Sequence, residues 1–133
     1  MISILLVDDD PLQASLILSV LEQRFGYVRR VSDAAEALCL IEQREVADHL
    51  HLVISGHHLP GMGGPEFVNE LRSRAPYLPI LVLGAVGETS TEYNGAHVCF
   101  LAKPFAAVKM LNLASWMLAD PKLLLPEFKK IDR

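Results

Sequence analysis

The sequence predicts an α/β domain, a parallel β-sheet covered by helices on both faces. Five short apolar runs alternate with stretches of helical periodicity, the pattern left by strand-helix-strand units. Most of these runs are almost continuously apolar, as strands buried on both faces are. The stretch from His51 to Gly64, HLVISGHHLPGMGG, ends one such strand in a turn-rich loop, where open parallel sheets present their chemistry.

Composition bounds the answer. A chain of 133 residues is about one domain and can bury a real core. With 51% apolar and 21% charged residues, disorder is not expected. The net charge of -4 carries no compensating basic cluster, since Lys129, Lys130 and Arg133 are too few, so this domain is not expected to bind nucleic acid. Cys39 and Cys99 lie in apolar segments without metal-type spacing, which points to buried core thiols. Ile2 to Val7 is too short for the apolar core of a secretion signal, and no apolar run reaches the length of a membrane span. A cytoplasmic setting without membrane contact is expected.

The first strand, Ile2 to Val7, is stopped by Asp8-Asp9-Asp10-Pro11, with Asp10 as N-cap and Pro11 in the first helical turn. The first helix runs to about Phe25. Leu12, Leu16 and Val20 line one face of it, and Ile17, Leu18, Leu21 and Phe25 widen the stripe beyond one core contact, so part of it is expected to meet a partner. Tyr27 to Val31 forms the second strand. Ser32 or Asp33 caps a helix through about Glu45 with Ala34, Ala37, Leu38 and Ile41 on one side.

His51 to Ser55 is the third strand, and Leu59 to Pro65 is a loop that restarts a helix. That helix, Pro65 to Ala75, turns Phe67, Val68 and Leu71 inward. Ile80 to Leu83 is the fourth strand. Gly84 to Asn94 holds poor helix formers, with only Val86 and Tyr93 as large apolar anchors, and predicts a short or frayed helix. Gly95 to Leu101 contains the fifth strand. Lys103-Pro104-Phe105 leads into a last helix ending near Ala119, in which Val108, Met110, Leu111, Leu113, Trp116, Met117 and Leu118 occupy more than half the circumference. So apolar a helix is either deeply buried or shared with another surface. Residues 1–119 read as the domain and 120–133 as a tail or linker.

The strand ends gather Asp8 and Asp9, His57 and His58, and Lys103. Adjacent carboxylates are costly without an offsetting cation. They suit Mg²⁺, which prefers oxygen, or equally a solvated helix N-terminus, where Asp favours the dipole. Gly56 occupies the place of a catalytic side chain and has none.

Over about Ile2 to Leu118 the chain resembles the receiver domain of bacterial two-component response regulators, as in CheY-like proteins. ILLVDDDP resembles that family's first strand and acidic pair, LPGMGG the loop after the phosphoacceptor, and FLAKPF the fifth strand with its lysine. The resemblance implies a flavodoxin-like, doubly wound sheet of strand order 2-1-3-4-5 and a cis peptide between Lys103 and Pro104. It assigns Asp8 and Asp9 to the metal-binding pair, Lys103 to the phosphoryl-pairing lysine and Phe100 to the aromatic switch. The family's acceptor aspartate falls on Gly56, its hydroxyl switch residue on Gly84 and its loop aspartate on Gly63. The fourth helical segment is shorter than the family's by about one turn, roughly 3.6 residues.

A glycine has no oxygen to attack a phosphoryl donor, so nucleophilic catalysis through an aspartyl phosphate is closed. No cofactor is expected, and Mg²⁺ only weakly. Ser55 neighbours Gly56 but points to the opposite face of its strand. The His58 imidazole is a candidate to join Asp8 and Asp9 around Zn²⁺ or another transition metal.

The expected role is non-enzymatic: an atypical receiver acting by protein contact with a kinase, an output protein or a second copy, through Val108, Leu111, Trp116 and Met117 of the last helix. The alternatives are a ligand- or metal-sensing module in the space left by two glycines, and the regulatory front end of a longer DNA-binding or enzymatic protein.

Overall fold

A computed structural model of the chain describes residues 3–84, Tyr93 and residues 97–119. Twelve elements follow one another along them: β1 (Ser3–Val7), α1 (Pro11–Glu22), β2 (Tyr27–Val31), α2 (Ala34–Glu42), α3 (Arg44–Ala47), β3 (Leu52–Gly56), β4 (His58–Leu59), β5 (Met62–Gly63), α4 (Gly64–Arg74), β6 (Ile80–Gly84), β7 (Val98–Ala102) and α5 (Ala107–Ala119). Five strands form one parallel sheet in the order β2-β1-β3-β6-β7. This is the predicted doubly wound order. The chain reverses direction across the sheet between β1 and β3, so their carboxyl ends border the crevice where such sheets bind ligands.

Alternation along the strands splits the core into two layers. Leu5, Val7 and Val53 pack with Ala37, Ile41, Phe67 and Leu71 of α2 and α4. Ile4, Leu6, Leu52 and Ile54 pack with Ile17 and Leu21 of α1 and Met110 and Met117 of α5. β1, β3 and β6 are covered on both faces, which explains why they read as unbroken apolar runs.

Several expectations change in the folded chain. α1 buries Ala14, Ile17 and Leu21, whereas Leu12 and Leu16 are 72% and 63% exposed. Its apolar residues cover two helical faces, and the sheet accepts the one that carries the small Ala14. The helix ends at Glu22, and Phe25 is buried beyond it. The predicted second helix is broken at Gln43, whose backbone is extended, giving α2 and the short α3. Cys39 is exposed because it falls opposite the buried face of α2, and Cys99 on the edge strand β7 is only half-buried; neither is a fully buried core thiol.

The loop after β3 contains a small antiparallel pair, β4 with β5. Gly61 supplies the reversal at φ 77°, a conformation unfavourable for a side chain. Phe67, Val68 and Leu71 of α4 are buried as predicted. In α5, Leu111 and Met117 are core residues, Met117 fully so, and Trp116 is half-buried against the same layer. The expected contact set on this helix is thus corrected: of its four residues only Val108, 56% exposed, stands out from the surface. The frayed segment is described only at Gly84 and Tyr93, and the tail 120–133 lies outside the described residues. Among the described residues no helix is long and apolar enough to cross a membrane.

Candidate functional site

Register brings the candidate residues to one edge of the sheet. Val7 pairs with Ser55, Gly56 with Leu83, and Gly84 with Ala102. Asp8, Gly56, Gly84 and Lys103 therefore stand at the carboxyl ends of neighbouring strands. The Lys103–Pro104 bond is cis, as the resemblance implies.

Asp8 is buried, with 4% exposure, and every polar group it carries is engaged. Its N–H donates to the Val31 carbonyl at 3.1 Å. Its carboxylate accepts the Asp10 N–H at 3.0 Å on Oδ1 and the Gln13 side-chain amide at 2.8 Å on Oδ2. Its carbonyl accepts from Arg30 Nε and Nη2 at 3.1 and 2.8 Å. Asp9 is exposed and makes no side-chain hydrogen bond or ion pair among the described residues. Asp10 caps α1, accepting from the N–H groups of Leu12 and Gln13 at 3.0 and 3.4 Å.

Across the crevice, the Lys103 N–H donates to the Gly84 carbonyl at 2.7 Å, and its ammonium has no ion pair or hydrogen bond among the described residues. Gly56 does not need to be glycine. A Cβ there would meet His58 O at 3.8 Å and Leu59 Cδ2 at 3.9 Å, both ordinary contacts. Ser55 is buried, and its hydroxyl donates to the Gly56 carbonyl at 2.9 Å, so it is committed to the backbone.

Rings gather around His57, the residue after Gly56. The His57 N–H donates to Leu83 O at 3.0 Å and its carbonyl accepts from the Gly64 N–H at 2.9 Å, which fixes its backbone. Its Nδ1 is hydrogen-bonded to the Tyr93 hydroxyl. His58 lies edge-on to His57, centroids 4.6 Å apart. Tyr93 is buried and stacks on Phe100 at 5.6 Å, and Phe100 stands perpendicular to His57 at 6.4 Å. Gly64 is demanded here, because a Cβ would press on the Tyr93 hydroxyl and sit 2.7 Å from His57 O.

These residues fit a divalent metal poorly. Mg²⁺ needs several oxygens in near-octahedral array. Both Asp8 oxygens are already engaged, Gly56 offers none, and among the described residues no three His, Cys, Asp or Glu side chains come together to hold a metal ion. The expected Asp8, Asp9 and His58 set is thus not assembled; the His58 ring lies against His57 instead.

Sequence reasoning missed two residues of the site. Gln13 stands three positions after the Asp10 cap, the spacing of a capping box, which marks it as a polar anchor but not of Asp8. Tyr93 stood out only as an apolar anchor in a weak segment. Its pairing with His57 spans thirty-six positions, and no local periodicity reports that.

Comparison with known proteins agrees with this geometry. The family model described as the response regulator receiver domain matches residues 4–115. The chain is 34% identical over 116 residues to the response regulator protein FleR of Pseudomonas aeruginosa, covering 84% of this chain and 24% of FleR. Among solved structures, NtrX from Brucella abortus in complex with ADP has a TM-score of 0.77 at 29% identity, covering 92% of this chain and 28% of that one. A response regulator receiver domain protein from Clostridium thermocellum has a TM-score of 0.78 at 22% identity, covering 94% of this chain and all of that one, a likeness of fold. The chain thus spans about a quarter of the length of FleR. With the strand order, the cis Lys103–Pro104 bond and a family match over most of its length, the chain belongs to the response regulator receiver domain family.

Proposed function

We propose that this receiver domain signals without an aspartyl phosphate, acting by protein contact rather than by catalysis, in the cytoplasm. The observation that carries the reading is Gly56 at the carboxyl end of β3. The phosphoacceptor position has no nucleophilic oxygen, and the neighbouring Ser55 hydroxyl is engaged by the backbone. Gly84 adds a second loss, since it carries no hydroxyl to read a phosphoryl group.

The partner is a kinase, an output protein or a second copy of the chain. Exposed Leu12 and Leu16 on α1 and Val108 on α5 support a contact on that side of the sheet, in place of the buried Leu111 and Met117. The chain's coverage of a quarter of FleR supports a second reading, in which it is the regulatory module of a longer protein.

Incubation with acetyl phosphate and Mg²⁺, or with beryllofluoride, tests the central claim by intact-mass spectrometry and amide NMR. The wild type is expected to gain no phosphoryl mass and to give no response to the mimic. Gly56→Asp, run beside it, is expected to respond. Labelling or widespread shifts in the wild type would mean that another residue accepts the group.

A further inference from the structure

Asp8 and Ser55 are the buried polar side chains among the described residues, and of the two only Asp8 carries a charge. A carboxylate taken out of water needs donors or a cation close by. The donors here are internal and few. Oδ1 takes the Asp10 N–H and Oδ2 takes the Gln13 amide at 2.8 Å.

The Gln13 contact departs from the capping box that its spacing suggests, its Nε2 donating to Asp8 where the box would have its side-chain oxygen accept. In a capping box the side chain at this position turns back to the N–H of the cap residue, which is Asp10. That N–H is already held by Asp8 Oδ1, and the Asp10 carboxylate is itself spent on the N–H groups of Leu12 and Gln13. The Gln13 amide goes to Asp8 Oδ2 instead. The turn thereby closes on itself, with Arg30 adding a guanidinium on the Asp8 carbonyl from β2.

We propose that Gln13 stands in for a divalent cation at this turn, its amide occupying Asp8 Oδ2 so that Asp8 braces the turn before α1 and collects no metal. The inference rests on the phosphate-independent function proposed above, because a phosphorylated receiver would need the cation. It goes further in naming a second barrier, one that restoring the aspartate at position 56 leaves in place. Each Asp8 oxygen already accepts one hydrogen bond, and the fixed Gln13 amide competes for Oδ2 with any cation that needs strict octahedral geometry.

The test is a Mg²⁺ titration of the wild type, Gln13→Ala, Gly56→Asp and the double variant, followed by the amide shifts of residues 8–10 and by melting temperature. The wild type is expected to show no saturating shift. Gly56→Asp is expected to bind weakly, and adding Gln13→Ala to it to raise the affinity about tenfold, the scale of one competing hydrogen bond to a charged group. Equal affinities in the two Gly56→Asp proteins would overturn the proposal, as would saturable binding to the wild type at residues 8–10.

Gln13→Glu gives an independent readout at nearly constant shape. It replaces the donor by a carboxylate facing Asp8, so the variant is expected to melt lower in chelator and to recover on adding Mg²⁺. A melting temperature equal to wild type and indifferent to Mg²⁺ would count against the role assigned to Gln13. Phosphoryl labelling of the wild type would instead remove the underlying functional reading, a result separate from any dependence of Mg²⁺ affinity on Gln13.

Discussion

Tyr93 stacks on Phe100 with ring centroids 5.6 Å apart and planes 19° from parallel, while its hydroxyl is held by His57 Nδ1. Phe100 is thus packed against a ring tied to the end of β3. Movement of Phe100 away from this site requires Tyr93 to release it. Tyr93→Phe keeps the stack and loses the hydrogen bond, an expected cost of about 1 kcal/mol. Tyr93→Ala removes a buried ring and is expected to cost about 3–5 kcal/mol. Urea unfolding measures both, and equal costs would show that the stack contributes nothing.

Two glycines that flank the same loop are expected to respond oppositely. A side chain at Gly56 meets only ordinary contacts, so Gly56→Asp is expected to fold with stability within about 0.5 kcal/mol of wild type. Gly64→Ala drives a methyl into His57 O and the Tyr93 hydroxyl, an overpacking expected to cost about 1–3 kcal/mol. Because the hydroxyl is part of that clash, Gly64→Ala and Tyr93→Phe are expected to combine less than additively. A double-mutant cycle in thermal unfolding reads the coupling.

The surface of α1 separates contact from stability. Leu12→Glu with Leu16→Glu is expected to leave the unfolding free energy within about 0.5 kcal/mol per site and to abolish partner or self-association. Met117→Glu buries a carboxylate among apolar side chains and is expected to unfold the domain. Sedimentation velocity on the folded double variant decides the first point. Unchanged association would move the contact elsewhere.

Arg72 links the end of α4 to the start of β7, donating to Ala75 O at 3.0 Å and His97 O at 3.1 Å. Burial pushes its guanidinium down to about 10, so it is charged at neutral pH at some cost to the folded state. Both carbonyls keep a second donor, Leu78 N–H and Ile80 N–H. Arg72→Met is therefore expected to change stability at pH 7 by less than about 1.5 kcal/mol. Above pH 10 the folded chain releases the Arg72 proton before the unfolded chain does, so the wild type is expected to gain on the variant as pH rises. Denaturant unfolding of both proteins at pH 7 and above pH 10 measures the crossing trend.

Local order was legible where local forces decide it. The unbroken apolar run of β1, the Asp10 cap with Pro11 behind it, and the inward Phe67, Val68 and Leu71 of α4 follow from propensity and period. That Gly56 carries no side-chain oxygen needs no fold to be true, although its meaning depends on the strand end where the fold puts it. The apolar excess on α1 was equally visible in the chain; which side of it faces water was not.

Tertiary structure decided what competes over distance. The sheet took Ala14, Ile17 and Leu21 and left Leu12 and Leu16 in solvent, because a stripe wider than one contact has two ways to pack and only close approach selects between them. Cys39 lost its expected burial to the same rotation of faces on α2. Tyr93 reached His57 because a buried polar group takes the partner that the packed chain brings to it. The amino-acid order by itself determined the strands, the caps and the glycine that ends the third strand; folding alone determined which side chains meet beside it, since hydrogen-bond partners far apart in sequence leave no periodic trace in it.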